Sequence, residues 1–128
     1  MSNAEMIKDE LITLCPDFTS ALDESDFIRE DGTLSVHGVF AVFSHYVANR
    51  LVCEPNPSLG KVFEYVESKL TGDDSEIDNA ACTCFLENLM NRVPDIIPPQ
   101  HFVPLLGPKS RRFCRAYDEW CGSKTEGL

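Results

Sequence analysis

The stretch SEIDNAACTCFLENLM, residues 75–90, decides the fold. Ile77, Ala80, Ala81, Cys82, Cys84, Phe85, Leu86, Leu89 and Met90 cover most of the circumference of a helix, and a helix apolar nearly all round belongs in the middle of a domain. Ser75 stands where an N-cap is needed, and Asp78 three residues on completes the outline of a capping box. The spacing predicts a central helix over about 75–92 that needs other helices around it.

Those neighbours are legible on both flanks. Val36, Val39, Phe40, Phe43, Val47 and Leu51 form one uninterrupted apolar stripe at helical spacing, broken by Glu54-Pro55-Asn56-Pro57. Leu59, Val62, Phe63, Val66 and Leu70 make a second stripe, with Ser58 as its cap and Gly72 as its stop. Ile7, Leu11 and Leu14 mark a first helix over 4–14, and Pro16 suits the opening of a short one through about Leu22. Beyond the loop between Val93-Pro94 and Pro98-Pro99, a short helix is expected around 99–106. Gly107-Pro108 opens the last helix, in which Phe113, Ala116, Tyr117, Trp120 and Cys121 read as a buried stripe, and Gly122 stops it. No run alternates with period two over strand length. The expectation is an all-α fold, one domain over 1–128 of six or seven mostly antiparallel helices, as an irregular bundle or as stacked pairs. Residues 1–5 read as a disordered or tag-derived start and 123–128 as a disordered tail.

Acids outnumber Lys and Arg by 21 to 11, for a formal charge of −10. A field of that sign repels phosphate backbones and steers basic partners inward, which argues against direct nucleic-acid binding. The charge is also unevenly placed: before residue 109 there are 18 acids and 6 cations, and from there on 3 acids and 5 cations. Lys109, Arg111, Arg112 and Arg115 crowd the first turns of the last helix while Asp118 and Glu119 lie near its end, the reverse of what a helix dipole favours. Pairing of these cations with the chain's own acidic surface is the expected compensation.

Asp73, Asp74, Glu76 and Asp78 gather at the start of the central helix, where the dipole and the cap account for one or two of them. Glu64 and Glu67 extend that patch if their helix packs beside it, and Asp23, Glu24 and Asp26 form a second cluster in a loop. These nine carboxylates are the candidate partner-binding residues. For catalysis the signals are thin. His37 and His45 lie about 12 Å apart on one helix, too far to hold one metal. There is no Cys/His metal spacing, Gly-rich phosphate loop or nucleophile elbow. A pair such as Cys114 with His101 is of the sort any chain with six cysteines and three histidines offers. No catalytic residue, cofactor or metal is assigned. The cysteines sit mostly among core positions, the polar start lacks a secretory apolar region, and no apolar run reaches membrane length, so a reduced cytoplasmic protein without membrane contact is expected.

Leu11-Ile12-Thr13-Leu14-Cys15-Pro16-Asp17-Phe18, Lys61-Val62-Phe63-Glu64-Tyr65-Val66, Asn79-Ala80-Ala81-Cys82-Thr83-Cys84-Phe85-Leu86-Glu87-Asn88-Leu89 and Leu105-Leu106-Gly107-Pro108-Lys109-Ser110-Arg111 together resemble a family of small, acidic, helical bacterial proteins. That family includes immunity proteins of contact-dependent growth inhibition toxin systems. The resemblance implies a cytoplasmic inhibitor that occludes the active site of a basic toxin domain, such as a nuclease, without turnover. It carries no catalytic residue over to this chain. The alternative is a helical adaptor or regulatory module with a different protein partner; position beside a large toxin gene separates the two.

Overall fold

A computed structural model describes residues 2–25, 34–53 and 59–128, with Cys53 described by its backbone alone. It contains no strand among these residues and is built from α1 (Asn3–Leu14), α2 (Phe18–Asp23), α3 (Val36–Cys53), α4 (Leu59–Lys69), α5 (Glu76–Ala80), α6 (Glu87–Met90), α7 (Pro99–Phe102) and α8 (Pro108–Cys121). A six-residue π segment, Ala81–Leu86, joins α5 to α6 in one continuous rod, and a 3-10 turn, Val103–Leu105, extends α7. The expected all-α single domain is what forms. The proposed Ser58 cap lies outside the described residues.

The rod from Glu76 to Met90 is the hub. Ala80, Ala81, Phe85, Leu86 and Leu89 are wholly buried on it. Phe85 stacks on Phe43 of α3 with ring centroids 5.6 Å apart and meets Phe40 at 6.5 Å and Phe63 of α4 at 5.7 Å. Phe63 carries the contact on to Phe102 of α7 at 5.9 Å, and Phe18 of α2 closes edge-on against Phe43 at 4.9 Å. Aromatic pairs in these geometries contribute about 0.5–1.5 kcal/mol each beyond the area they bury. Ser44 and Asn88 bond beside this cluster: Ser44 Oγ donates to the Ala41 carbonyl at 2.6 Å, and Asn88 Nδ2 donates to Ser44 Oγ at 3.2 Å and to the Cys84 carbonyl at 2.7 Å. That last bond engages a carbonyl within the widened π turn.

The periphery is fastened by side chains. Tyr46 of α3 donates to Asp17 Oδ1 at 2.6 Å, which anchors the turn before α2 and holds the Asp17 carboxyl below its usual pKa. Lys69 of α4 pairs with Glu10 of α1 at 3.5 Å and lies 5.0 Å over the Tyr65 ring. His101 donates Nδ1–H to the Leu51 carbonyl at 2.7 Å, and Arg92 Nη2 approaches His45 Nδ1 at 2.8 Å.

Three local expectations are corrected. Residues 2–5 are ordered into the fold: Ser2 Oγ caps α1 through the Glu5 N–H at 3.2 Å, and Ala4 is buried. Residues 123–128, expected as a disordered tail, fold back instead. The Thr125 N–H and hydroxyl donate to the Asp118 carboxylate at 2.8 and 2.9 Å, Arg115 Nε donates to the Leu128 main-chain oxygen at 2.8 Å, and Leu128 rests on the core. The turn is made possible by Gly122, whose φ of 72° is the left-handed conformation glycine supplies at a helix C-terminus.

The third correction concerns α8. Its expected stripe of Phe113, Ala116, Tyr117, Trp120 and Cys121 is not the buried one. Ser110 and Cys114 point inward, Phe113 and Tyr117 are half-buried, and Ala116, Cys121 and Trp120 are exposed, Trp120 at 81 %. At about 100° per residue Trp120 stands on the side of Arg112 and Ala116, far from Cys114. Apolar identity alone does not mark the buried face of α8, because charged residues share that side.

Phe85→Ala is expected to lower unfolding stability by about 3–5 kcal/mol, because it removes a ring packed against three others and leaves a cavity. Trp120→Ala should stay within about 0.5 kcal/mol in dilute solution. Urea unfolding followed by circular dichroism measures both.

Candidate interaction surface

The candidate carboxylates divide sharply once placed. At the turn from α4 to α5, Gly72 at φ 75° reverses the chain and Asp74 itself sits at φ 59°. Asp is among the few residues that enter this region readily. Asp73 Oδ1 accepts from the Thr71 hydroxyl at 2.6 Å and the Ser75 N–H at 3.1 Å, and these bonds hold its carboxyl below the ordinary aspartate range. Asn79 Nδ2 donates to the Asp74 carbonyl at 3.2 Å, and Ser75 Oγ caps α5 through the Asp78 N–H at 3.2 Å. The turn is thereby fixed with Asp73, Asp74 and Glu76 exposed.

Glu76 faces a cleft of about 470 Å³ shared with Ser2–Ala4 and with Leu34–His37. The N-termini of α1, α3 and α5 meet there, each with a serine cap (Ser2, Ser35 and Ser75). Three helix dipoles direct their positive ends at this edge, where Glu5 and Glu76 lie in the first turns of α1 and α5.

Glu67 and Asp78 leave the presented set. Glu67 reaches from α4 to the start of α8, where its Oε2 accepts from the Lys109 N–H at 2.8 Å and its Oε1 accepts from the Ser110 N–H at 2.9 Å and the Ser110 hydroxyl at 2.8 Å. Burial works against its charge, but these bonds and the nearby Lys109 ammonium outweigh it and keep its carboxyl below the usual glutamate value. It is the cap that α8 lacks locally, since Gly107 at the N-cap has no side chain. The absence of Ser, Thr, Asp or Asn at 107 is the sequence signal that could have pointed to a capping acceptor elsewhere. Gly107 is also required sterically: a Cβ there would lie 2.6 Å from Glu67 Cδ and Oε1 and 2.8 Å from Cγ. Asp78 is only 9 % exposed and turns toward Cys82, whose thiol is pushed up to about 11 by burial and by that carboxylate.

Glu64 is exposed on α4, two turns before the turn cluster. Asp23 and Glu24 are exposed at the end of α2, where Glu24 lines a separate cleft with His45, Tyr46, Asn49 and Arg50 of α3. Glu76 faces residues 36–37 of the same helix, and the Glu24 cleft begins at Val42, about 7.5 Å further along its axis. Asp26 lies outside the described residues.

The cations of α8 are occupied differently from expectation. Lys109 stands beside Glu67, but Arg111 donates to the Leu106 and Val103 carbonyls at 3.2 and 3.0 Å, and Arg115 to Leu128. These guanidiniums tie α8 to its flanking loops rather than to acidic side chains. Among the described residues the Arg112 and Glu119 side chains make no hydrogen bond or ion pair.

Of the Cys114 and His101 pair raised by the sequence, each is held within the fold, His101 on the Leu51 carbonyl and Cys114 in the core. The Cys114 thiol is fully buried and pushed up to about 12, chiefly by burial and then by Asp118. Among the described residues no three His, Cys, Asp or Glu side chains are grouped to hold a metal, and no helix is long and apolar enough to cross a membrane.

A family model described as a domain of unknown function, DUF7674, matches residues 8–121. No curated protein and no solved structure matches the chain.

Removing the long-range cap by Glu67→Ala, or displacing it by Gly107→Ala, should each cost about 1–2 kcal/mol. The double variant should cost little more than either, because both break the same bonds. With its folded pKa depressed, Glu67 contributes its full stabilisation above the unfolded value of about 4.3 and loses it as pH falls through the folded pKa. Glu67→Gln should flatten that part of the stability–pH curve, measured by urea midpoints across the acid range.

Proposed function

We propose that this chain, which belongs to the DUF7674 family of domains of unknown function, is a cytoplasmic immunity protein. It binds a basic toxin domain and neutralises it by covering the active site, without performing a reaction. The observation that carries this reading is the rigid turn at Thr71–Ser75, which holds Asp73 and Asp74 outward beside Glu76 on a chain of net charge −10.

The physical logic is electrostatic. A toxin that cleaves nucleic acid presents cationic groups where phosphates bind, and fixed carboxylates mimic that charge. Long-range attraction raises the rate of encounter, and pre-set geometry lowers the ordering cost on contact. Glu64 lies close enough along α4 to widen the field, while Asp23 and Glu24 make a second patch at the other end of α3. Glu67 and Asp78 act on the fold of the inhibitor and not on the toxin.

Co-expression with the toxin domain encoded beside it should protect cells and yield a stable complex. Charge reversal in Asp74→Lys/Glu76→Lys should slow association about tenfold at low salt, with the difference shrinking as screening increases. Stopped-flow association at several ionic strengths reads this directly. An unchanged low-salt rate would remove the turn as the docking face, and failure to bind or protect at all would remove the immunity reading.

A further inference from the structure

We propose that α8 is a self-complementary surface through which two copies of this chain form a two-fold symmetric dimer. The starting point is Trp120, 81 % exposed and the chain's one tryptophan. Its indole continues a ladder from Phe113 to Tyr117 at 6.4 Å and from Tyr117 to Trp120 at 6.1 Å. Tryptophan is among the residues most enriched at the energetic centres of interfaces, where it fills a pocket on the partner.

The outward face of α8 has an internal order that fits a second copy of itself. With Ala116 on the centre line and about 100° per residue, Arg112 and Glu119 fall at about −40° and −60°, and Trp120 and Phe113 at about +40° and +60°. Arg112 and Glu119 occupy one flank and the aromatic residues the other, with the exposed Lys109 near the centre line at about +20°, two turns before Ala116. A two-fold axis through Ala116 turns the second helix antiparallel and keeps each flank facing its own kind.

Along the axis, Arg112 lies about 6 Å before Ala116 and Glu119 about 4.5 Å after it, so Arg112 of one copy meets Glu119 of the other, twice by symmetry. Phe113 of one copy likewise comes level with Trp120 of the other. Arg112 and Glu119, the two charged groups this pairing uses, have no partner among the described residues of their own chain. Ala116, exposed and small, lets the helices cross closely.

A receptor for the indole is present. Between α8 and the α4–α5 turn runs a groove of about 390 Å³ whose lining includes Leu70, Cys82, Phe113 and Ala116 together with the charged Asp78, Lys109 and Arg112. Trp120 of the second copy enters on the Phe113 side, where an aromatic face and a cation over it both favour an indole. The contact is small beside obligate interfaces, so the dissociation constant falls in the micromolar range or weaker. Thr71 and Gly72 of the acidic turn border this groove but Asp74 and Glu76 do not line it, so the Asp74→Lys/Glu76→Lys variant leaves the groove's lining intact and retains the dimer whether or not the immunity reading holds.

The test is sedimentation equilibrium of the full chain from about 1 μM to about 1 mM, the range such affinities require, with Trp120 emission followed over the same series. Reversible monomer–dimer exchange with emission moving to shorter wavelength is expected. Arg112→Glu or Glu119→Arg alone should weaken the dimer about tenfold, since each breaks two symmetric pairs. The double variant R112E/E119R restores both pairs with the signs exchanged and should return to within about threefold of the original. Trp120→Ala should abolish the dimer, with helical circular dichroism unchanged in every variant. A chain monomeric throughout, a dimer indifferent to Trp120→Ala, open-ended assembly, or a double variant no better than the single ones would each overturn the proposal. So would a chain that stays monomeric while its toxin partner covers Trp120.

Discussion

Phe85 packs against Phe40 and Phe43 of one helix and Phe63 of another, and the rest of the molecule is arranged by that contact. A ring buried on several sides requires α3 and α4 to flank the same rod, and the wholly buried Ala80 and Ala81 on that rod need close neighbours as well. Ser44 and Asn88, set beside these rings, bond to each other and to nearby carbonyls, which offsets the cost of burying them. Charge is thus displaced to turns and helix ends, where capping decides its geometry.

Two carboxylates of similar appearance illustrate how far that geometry separates roles. Glu67 reaches across to another helix and replaces a cap that the local sequence omits. Glu64, one turn earlier, remains in solvent. The positive charge density of α8 is tolerated because Glu67 sits at its N-terminus while Arg111 and Arg115 are held by carbonyls of the segments on either side. The dipole is offset by a distant acid, and the basic residues serve as staples.

The outcome is a body with two surfaces of different chemistry. One edge gathers three helix N-termini with fixed acids around them, suited to a cationic partner met by long-range attraction. The outward side of α8 mixes aromatic area with one free charge of each sign, suited to a partner that presents the same pattern reversed. On the proposed readings the two surfaces would serve separate contacts, one with a basic partner and one with a second copy.

The helical class and most element positions were set by the sequence alone, because apolar spacing in 36–51, 59–70 and 75–90 is a local property of a 3.6-residue period. Ser75 and Gly122 were legible as cap and stop for the same reason: each acts on backbone within a few residues. What the tertiary structure decided were the contacts between residues far apart in the chain. Glu67 became a cap only when α4 met Gly107, a glycine whose missing Cβ makes room for that carboxylate. Asp78 was withdrawn against Cys82, and residues 123–128 were folded back by Asp118 and Arg115. Trp120 was turned outward because Ser110 and Cys114 took the inner face of α8. Periodicity fixes which residues share a side of a helix, but which side faces inward depends on the neighbours that assembly supplies.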